Sequence, residues 1–169
     1  MDSILPCIIS PEQLTEIVVQ SKSIFFMELV KLLSVAVNLH RLSLGRLSID
    51  GINPVTIQEN VIFQSVSKKN VIKNLTLIYG CSLEKTELLF ALCPRLQHFA
   101  VHNDFAPFLI RLIRLILSKT NNNNRHLSSL CISKETDETE EILKMAIKND
   151  KLLDDYMVEC VDNKIYVWW

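Results

Sequence analysis

A chain of 169 residues with 19 acidic and 18 basic side chains has a formal charge of −1. No whole-chain basic field therefore draws it to nucleic acid or to an anionic membrane, and neither is expected as a partner. Hydrophobic residues make up 49% and charged residues 22%, with only 3 Gly and 5 Pro, which excludes a disordered or collagen-like chain and fits one domain with a sizeable core.

The opening "MDSILPCIIS" has an apolar patch broken by Pro6 and no basic residue before it, a poor match to a signal peptide. Cys7, Cys81, Cys93, Cys131 and Cys160 are scattered, odd in number and without a C-x-x-C pair, so reduced thiols in the cytoplasm, or else the nucleus, are expected. The longest apolar stretch, 105–117, is interrupted by Arg111 and Arg114 and is too short to span a membrane.

The first patterned segment, "QLTEIVVQ", carries Leu14-x-x-Ile17-x-Val19. Its apolar spacing of three and then two matches neither a helix nor a strand throughout. The pattern returns as Leu39-x-x-Leu42-x-Leu44, Ile72-x-x-Leu75-x-Leu77, Leu96-x-x-Phe99-x-Val101 and Leu127-x-x-Leu130-x-Ile132. The copies start 25, 33, 24 and 31 residues apart, two intervals within the leucine-rich-repeat period of roughly 20–29 residues and two slightly beyond it.

Helical segments lie between the copies. "FFMELVKLLSVA" is apolar except for a stripe of Glu28, Lys31 and Ser34. "NPVTIQENVIFQSVS" opens with Asn53 as N-cap and Pro54 as first helical residue. Ser82 caps "LEKTELLFAL", which must stop before Pro94. Asp104 caps a helix over 105–119 with Arg111, Arg114 and Ser118 on its wet edge. "TDETEEILKMAIKN" places acids first and lysines later, matching the helix dipole. The segment "CIISPEQLTEIVV" aligns with "FALCPRLQHFAV", so the chain enters mid-repeat.

At the C-terminus Tyr156, Val158 and Cys160 alternate, then Ile165, Val167 and Trp169, with Asp162-Asn163 between them as a two-residue turn. This predicts a hairpin that closes the sheet edge, with Trp168 and Trp169 in cap packing. The expected architecture is α/β: a leucine-rich-repeat solenoid of about five strand–helix units with a parallel sheet. The solenoid covers 1–153, with strands near 15–20, 40–45, 73–78, 97–102 and 128–133. The capping hairpin covers 154–169 of the same domain, and the N-terminal end of the solenoid is open to self-association.

Because side chains alternate along a strand, the residues between the pattern positions face outward on the concave side. The candidate partner-binding set is Glu16, Gln20, Arg41, Ser43, Asn74, Thr76, Ile78, His98, His102, Ser129, Cys131 and Ser133, with Val18, Gly45 and Ala100 interleaved. It offers no carboxylate pair for acid–base work and no basic–aromatic cluster for nucleobases. His98 and His102, four residues apart on one strand, stand ~13 Å from each other, too far to share a metal. Cys131 with His98 or His102 is the alternative chemistry, a cysteine/histidine-dependent hydrolase or metal site, but no orienting group or oxyanion site accompanies it. No metal, cofactor or catalytic residue is expected, and the 3 glycines cannot build a phosphate loop.

The irregular repeats, their variable spacing and the closing "LLDDYMVECVDNKIYVWW" resemble the C-terminal part of F-box/leucine-rich-repeat proteins. The usual Asn or Cys at the ninth repeat position is replaced by Lys22, Leu47, Gly80, Asp104 and Glu135. "ILPCII" is similar to the start of an F-box, but a repeat follows at once and no adaptor-binding module fits before Leu14. The resemblance implies a non-enzymatic protein-interaction scaffold, the substrate-recognition module of an SCF-type ubiquitin ligase lacking its F-box. A truncated paralogue without retained activity is the other reading.

Overall fold

The computed structural model describes residues 10–102, 105–117, 125–133, 138–150 and 156–169. After a 3-10 turn at Pro11–Gln13 come β1 (Glu16–Phe25), α1 (Phe26–Val35), β2 (Arg41–Ser48), α2 (Pro54–Gln58), α3 (Val61–Lys69), β3 (Asn74–Tyr79) and α4 (Leu83–Leu92). Then follow β4 (His98–His102), α5 (Ala106–Leu117), β5 (Ser129–Ser133), α6 (Glu138–Asn149), β6 (Met157–Val161) and β7 (Lys164–Trp168). The fold is α/β, with one open, mostly parallel sheet of seven strands in the order β1-β2-β3-β4-β5-β7-β6. The five parallel strands lie in chain order.

Each apolar triplet enters its strand through the same backbone device. In the first four triplets the carbonyl one residue after the first apolar position accepts two N–H groups from the next unit. Thr15 O takes His40 N and Arg41 N at 2.9 and 3.1 Å, and His40 O takes Lys73 N and Asn74 N at 3.0 and 3.1 Å. Lys73 O receives Gln97 N and His98 N, and Gln97 O receives Ser128 N and Ser129 N, all between 2.9 and 3.1 Å. Trp169 N continues the series to Ser128 O at 3.3 Å. The first apolar residue of a triplet therefore packs inward from a turn, and the other two alternate within the strand.

The packing follows from that geometry. Leu42, Leu75, Phe99, Leu130 and Val167 form one buried row across the sheet, and Leu44, Leu77, Val101, Ile132 and Ile165 form the next. Helices pack on these rows as consecutive neighbours, α1 on α3, α3 on α4, α4 on α5 and α5 on α6. Phe90 of α4 meets Phe99 of β4 edge to face at 5.3 Å, and Phe26 stacks on Phe63 between α1 and α3 at 6.1 Å. Such pairs add about 0.5–1.5 kcal/mol beyond area burial, and truncating a leucine in these rows costs about 2–5 kcal/mol.

Two local features differ from the simplest reading of the sequence. The segment after Asn53 is two helices, because the Asn60 side chain accepts from Ile62 N (2.9 Å) and Phe63 N (3.3 Å) and so starts a second one. In β1 the register jumps between Val19 and Ser23, opposite Gly45 of β2. Gly45 has no side chain to oppose this bulge: a Cβ there would lie 2.5 Å from Gln20 O and 2.9 Å from Val19 O. The cap of α5 expected at Asp104 lies outside the described residues, as does Ser118.

The C-terminal hairpin is present. β7 pairs antiparallel with both β5 and β6, and Asp162 and Asn163 make the turn with φ of 49° and 58°. Positive φ at both turn residues matches the right-handed twist of the strands. Among the described residues no helix is long and apolar enough to cross a membrane.

Candidate functional site

The face of the sheet opposite the helices displays the outward residues in rows fixed by register. One row runs Glu16, Arg41, Asn74, His98, Ser129 and Trp168, and the next runs Val18, Ser43, Thr76, Ala100, Cys131 and Tyr166. His102 and Ser133 begin a third row with Lys164. Gln20 sits at the β1 bulge and is exposed, and Ile78 is half-buried near the end of β3.

Five of these residues come together. Asn74, Thr76, His98, Ser129 and Cys131 line a concavity of about 310 Å³, walled on one side by Tyr166 and Trp168. His98 Nδ1 and Ser129 Oγ lie 2.6 Å apart across the β4–β5 pair. Ser129 is nearly buried there, so the imidazole contact satisfies a hydroxyl that water cannot freely reach. Glu16, Gln20, Arg41, Ser43, Ile78, His102 and Ser133 are not part of this concavity.

Tyr166 and Trp168 stack at 5.5 Å with their rings 9° from parallel. Trp168 thus packs within the hairpin on the open side of the sheet, whereas Trp169 packs against the core. The reason is register. Val167 faces the helices opposite Leu130, so its neighbours Tyr166 and Trp168 must face the open side. The alternation of Ile165 and Val167 with these two aromatics carried the signal.

The titratable groups of the concavity are weak acids held in their neutral forms. Burial pushes the Cys131 thiol up, against smaller opposing effects of the Tyr166 hydroxyl and Lys164. The nearby Cys131 charge, followed by burial, holds the Tyr166 hydroxyl above the usual phenol value. Cys131 pairs in register with Ala100 and Tyr166, while His102 pairs with Ser133 and His98 is engaged by Ser129. No imidazole therefore stands opposite the thiol. Among the described residues no group of three or more His, Cys, Asp or Glu is placed to hold a metal ion.

Comparison with protein-family models, curated proteins and solved structures gave no match. What the open face offers is hydrogen-bonding side chains in short rows, beside a flat aromatic wall.

Proposed function

We propose that the chain is a divergent leucine-rich-repeat solenoid acting as a non-enzymatic protein-interaction scaffold in the cytoplasm. A partner protein binds on the open face of the sheet, the concave side of such a solenoid, at the concavity between β3 and β7. Within that reading it serves as a substrate-recognition module of an SCF-type ubiquitin ligase. The observation that carries the solenoid is the recurrence of one paired backbone contact at Thr15, His40, Lys73 and Gln97, the same position in four successive units. The observation that carries the site is the gathering of His98, Ser129, Tyr166 and Trp168 around one hollow on a helix-free face. Aromatic walls bordered by satisfied polar groups are a common composition for the centre of a protein interface.

A photo-crosslinking residue at Thr76, on the open face, is expected to capture a partner that the same residue at Glu87, on α4, does not. The partner is then purified and titrated against Ser129→Trp and Arg41→Glu. A partner captured only from Glu87, or bound by Ser129→Trp as tightly as by the unaltered chain, places the interface elsewhere. Ubiquitination of the captured partner, expected to fall when the chain is depleted from cells, tests the ligase assignment separately, and unchanged ubiquitination overturns it.

A further inference from the structure

A second hollow, of about 500 Å³, lies at the C-terminal ends of β1, β2 and β3, away from the aromatic concavity. Ser23, Arg46 and Tyr79 form one row across its three strands. That row exists because of the β1 bulge: two extra residues between Val19 and Ser23 bring Ser23 opposite Arg46. Bulges of this kind re-aim side chains at the edges of sheets and beside binding sites.

The charges in the hollow are unbalanced. Among the described residues, Arg46 and Lys85 pair with no carboxylate. Lys85 Nζ donates to Gly80 O at 2.8 Å, which holds the ammonium at the cleft and leaves further N–H donors for a ligand. Asp50, the acid at the rim, accepts from the Ser48 hydroxyl at 2.6 Å, not from either cation. Ser23 and Tyr79 add hydroxyls, and the Tyr79 side chain is largely exposed, leaving its ring open to a ligand.

We propose that this cleft binds the phosphate group of a small ligand between Arg46 and Lys85. A planar carboxylate is satisfied by the arginine fork alone. A guanidinium, an ammonium and two hydroxyls on different walls suit an oxyanion that accepts from several directions. The volume is that of a small-molecule site. This assignment is independent of partner binding at the aromatic concavity.

The test is a titration of the full chain, followed by amide NMR, with inorganic phosphate, phenyl phosphate and sodium acetate at matched ionic strength. Both phosphates are expected to give saturable shifts around Arg46, Tyr79 and Gly80, and acetate none. Tighter phenyl phosphate identifies an ester as the ligand, and equal affinity identifies the free ion. Arg46→Gln and Lys85→Gln should each weaken phosphate by about tenfold, the loss expected for a charge-assisted hydrogen bond. Asp50→Asn, which removes the opposing charge, should tighten it. Absence of saturable phosphate shifts, equal binding of acetate, or affinity unmoved by all three substitutions overturns the proposal.

Discussion

His98 of β4 and Ser129 of β5 are register partners whose side chains meet at 2.6 Å on the open face of the sheet. The pair sits beside the Tyr166–Trp168 stack and ties the chain's middle to the wall built by its C-terminal hairpin. Ser129→Ala removes the only hydroxyl in reach of Nδ1 among the contacts described, and the exposed imidazole can turn to water. The expected loss is about 1 kcal/mol, read as a shift of the urea midpoint without a change in its slope.

Gly45→Ala is expected to be more damaging than its single methyl suggests. The new Cβ meets backbone oxygens of Gln20 and Val19 at 2.5 and 2.9 Å, and backbone cannot rotate away as a side chain does. A loss of about 1–3 kcal/mol follows. Hydrogen exchange should show the damage concentrated in β1, the edge strand that must move, while amides of β4 and β5 keep their protection.

The hairpin turn gives a prediction of the opposite sign. Asn163 holds a φ of 58°, which glycine adopts without strain, so Asn163→Gly should raise stability by up to about 1 kcal/mol. Asp162→Val places a β-branched residue at a φ of 49° and should cost about 1–2 kcal/mol. Thermal unfolding of the two variants, compared with the unaltered chain, measures both.

Burial pushes the Cys93 thiol up to about 12 from an ordinary value near 9, the Asn70 side chain opposing it only in part. Between those values the unfolded chain loses this proton and the folded chain keeps it. The unfolded state then binds fewer protons, so stability falls as pH rises, by up to about 1.4 kcal/mol per pH unit from this group. Below pH ~9 the contribution is complete and flat. Cys81 and Cys131, also raised by burial, act in the same direction, so the check is a comparison. Urea midpoints measured between about pH 8 and pH 11 should fall less steeply in Cys93→Ala than in the unaltered chain.

The sequence by itself determined the strands and their inward faces. Leu39, Leu42 and Leu44 and the equivalent residues in the next three copies are buried, because a residue pattern that alternates inside a strand has only one way to bury itself. The caps at Asn53 and Ser82 were legible for the same local reason: a short polar side chain before a helix satisfies N–H groups within three residues of itself. Asn60 carried the same chemistry just before the apolar Val61–Phe63, inside a segment whose helical periodicity concealed it.

Only the tertiary structure decided which outward residues meet. That depends on register between strands separated by 24 to 33 residues, and on the antiparallel return of β7 onto β5, which no local spacing encodes. His98 and Ser129, Cys131 and Tyr166, and Ser23 and Arg46 become neighbours through backbone hydrogen bonding across the sheet. The paired contacts at Thr15, His40, Lys73 and Gln97 fix that register with main-chain atoms, which are the same whatever side chain stands there. The triplets of leucine state that strands exist; the carbonyls beside them set how the strands align.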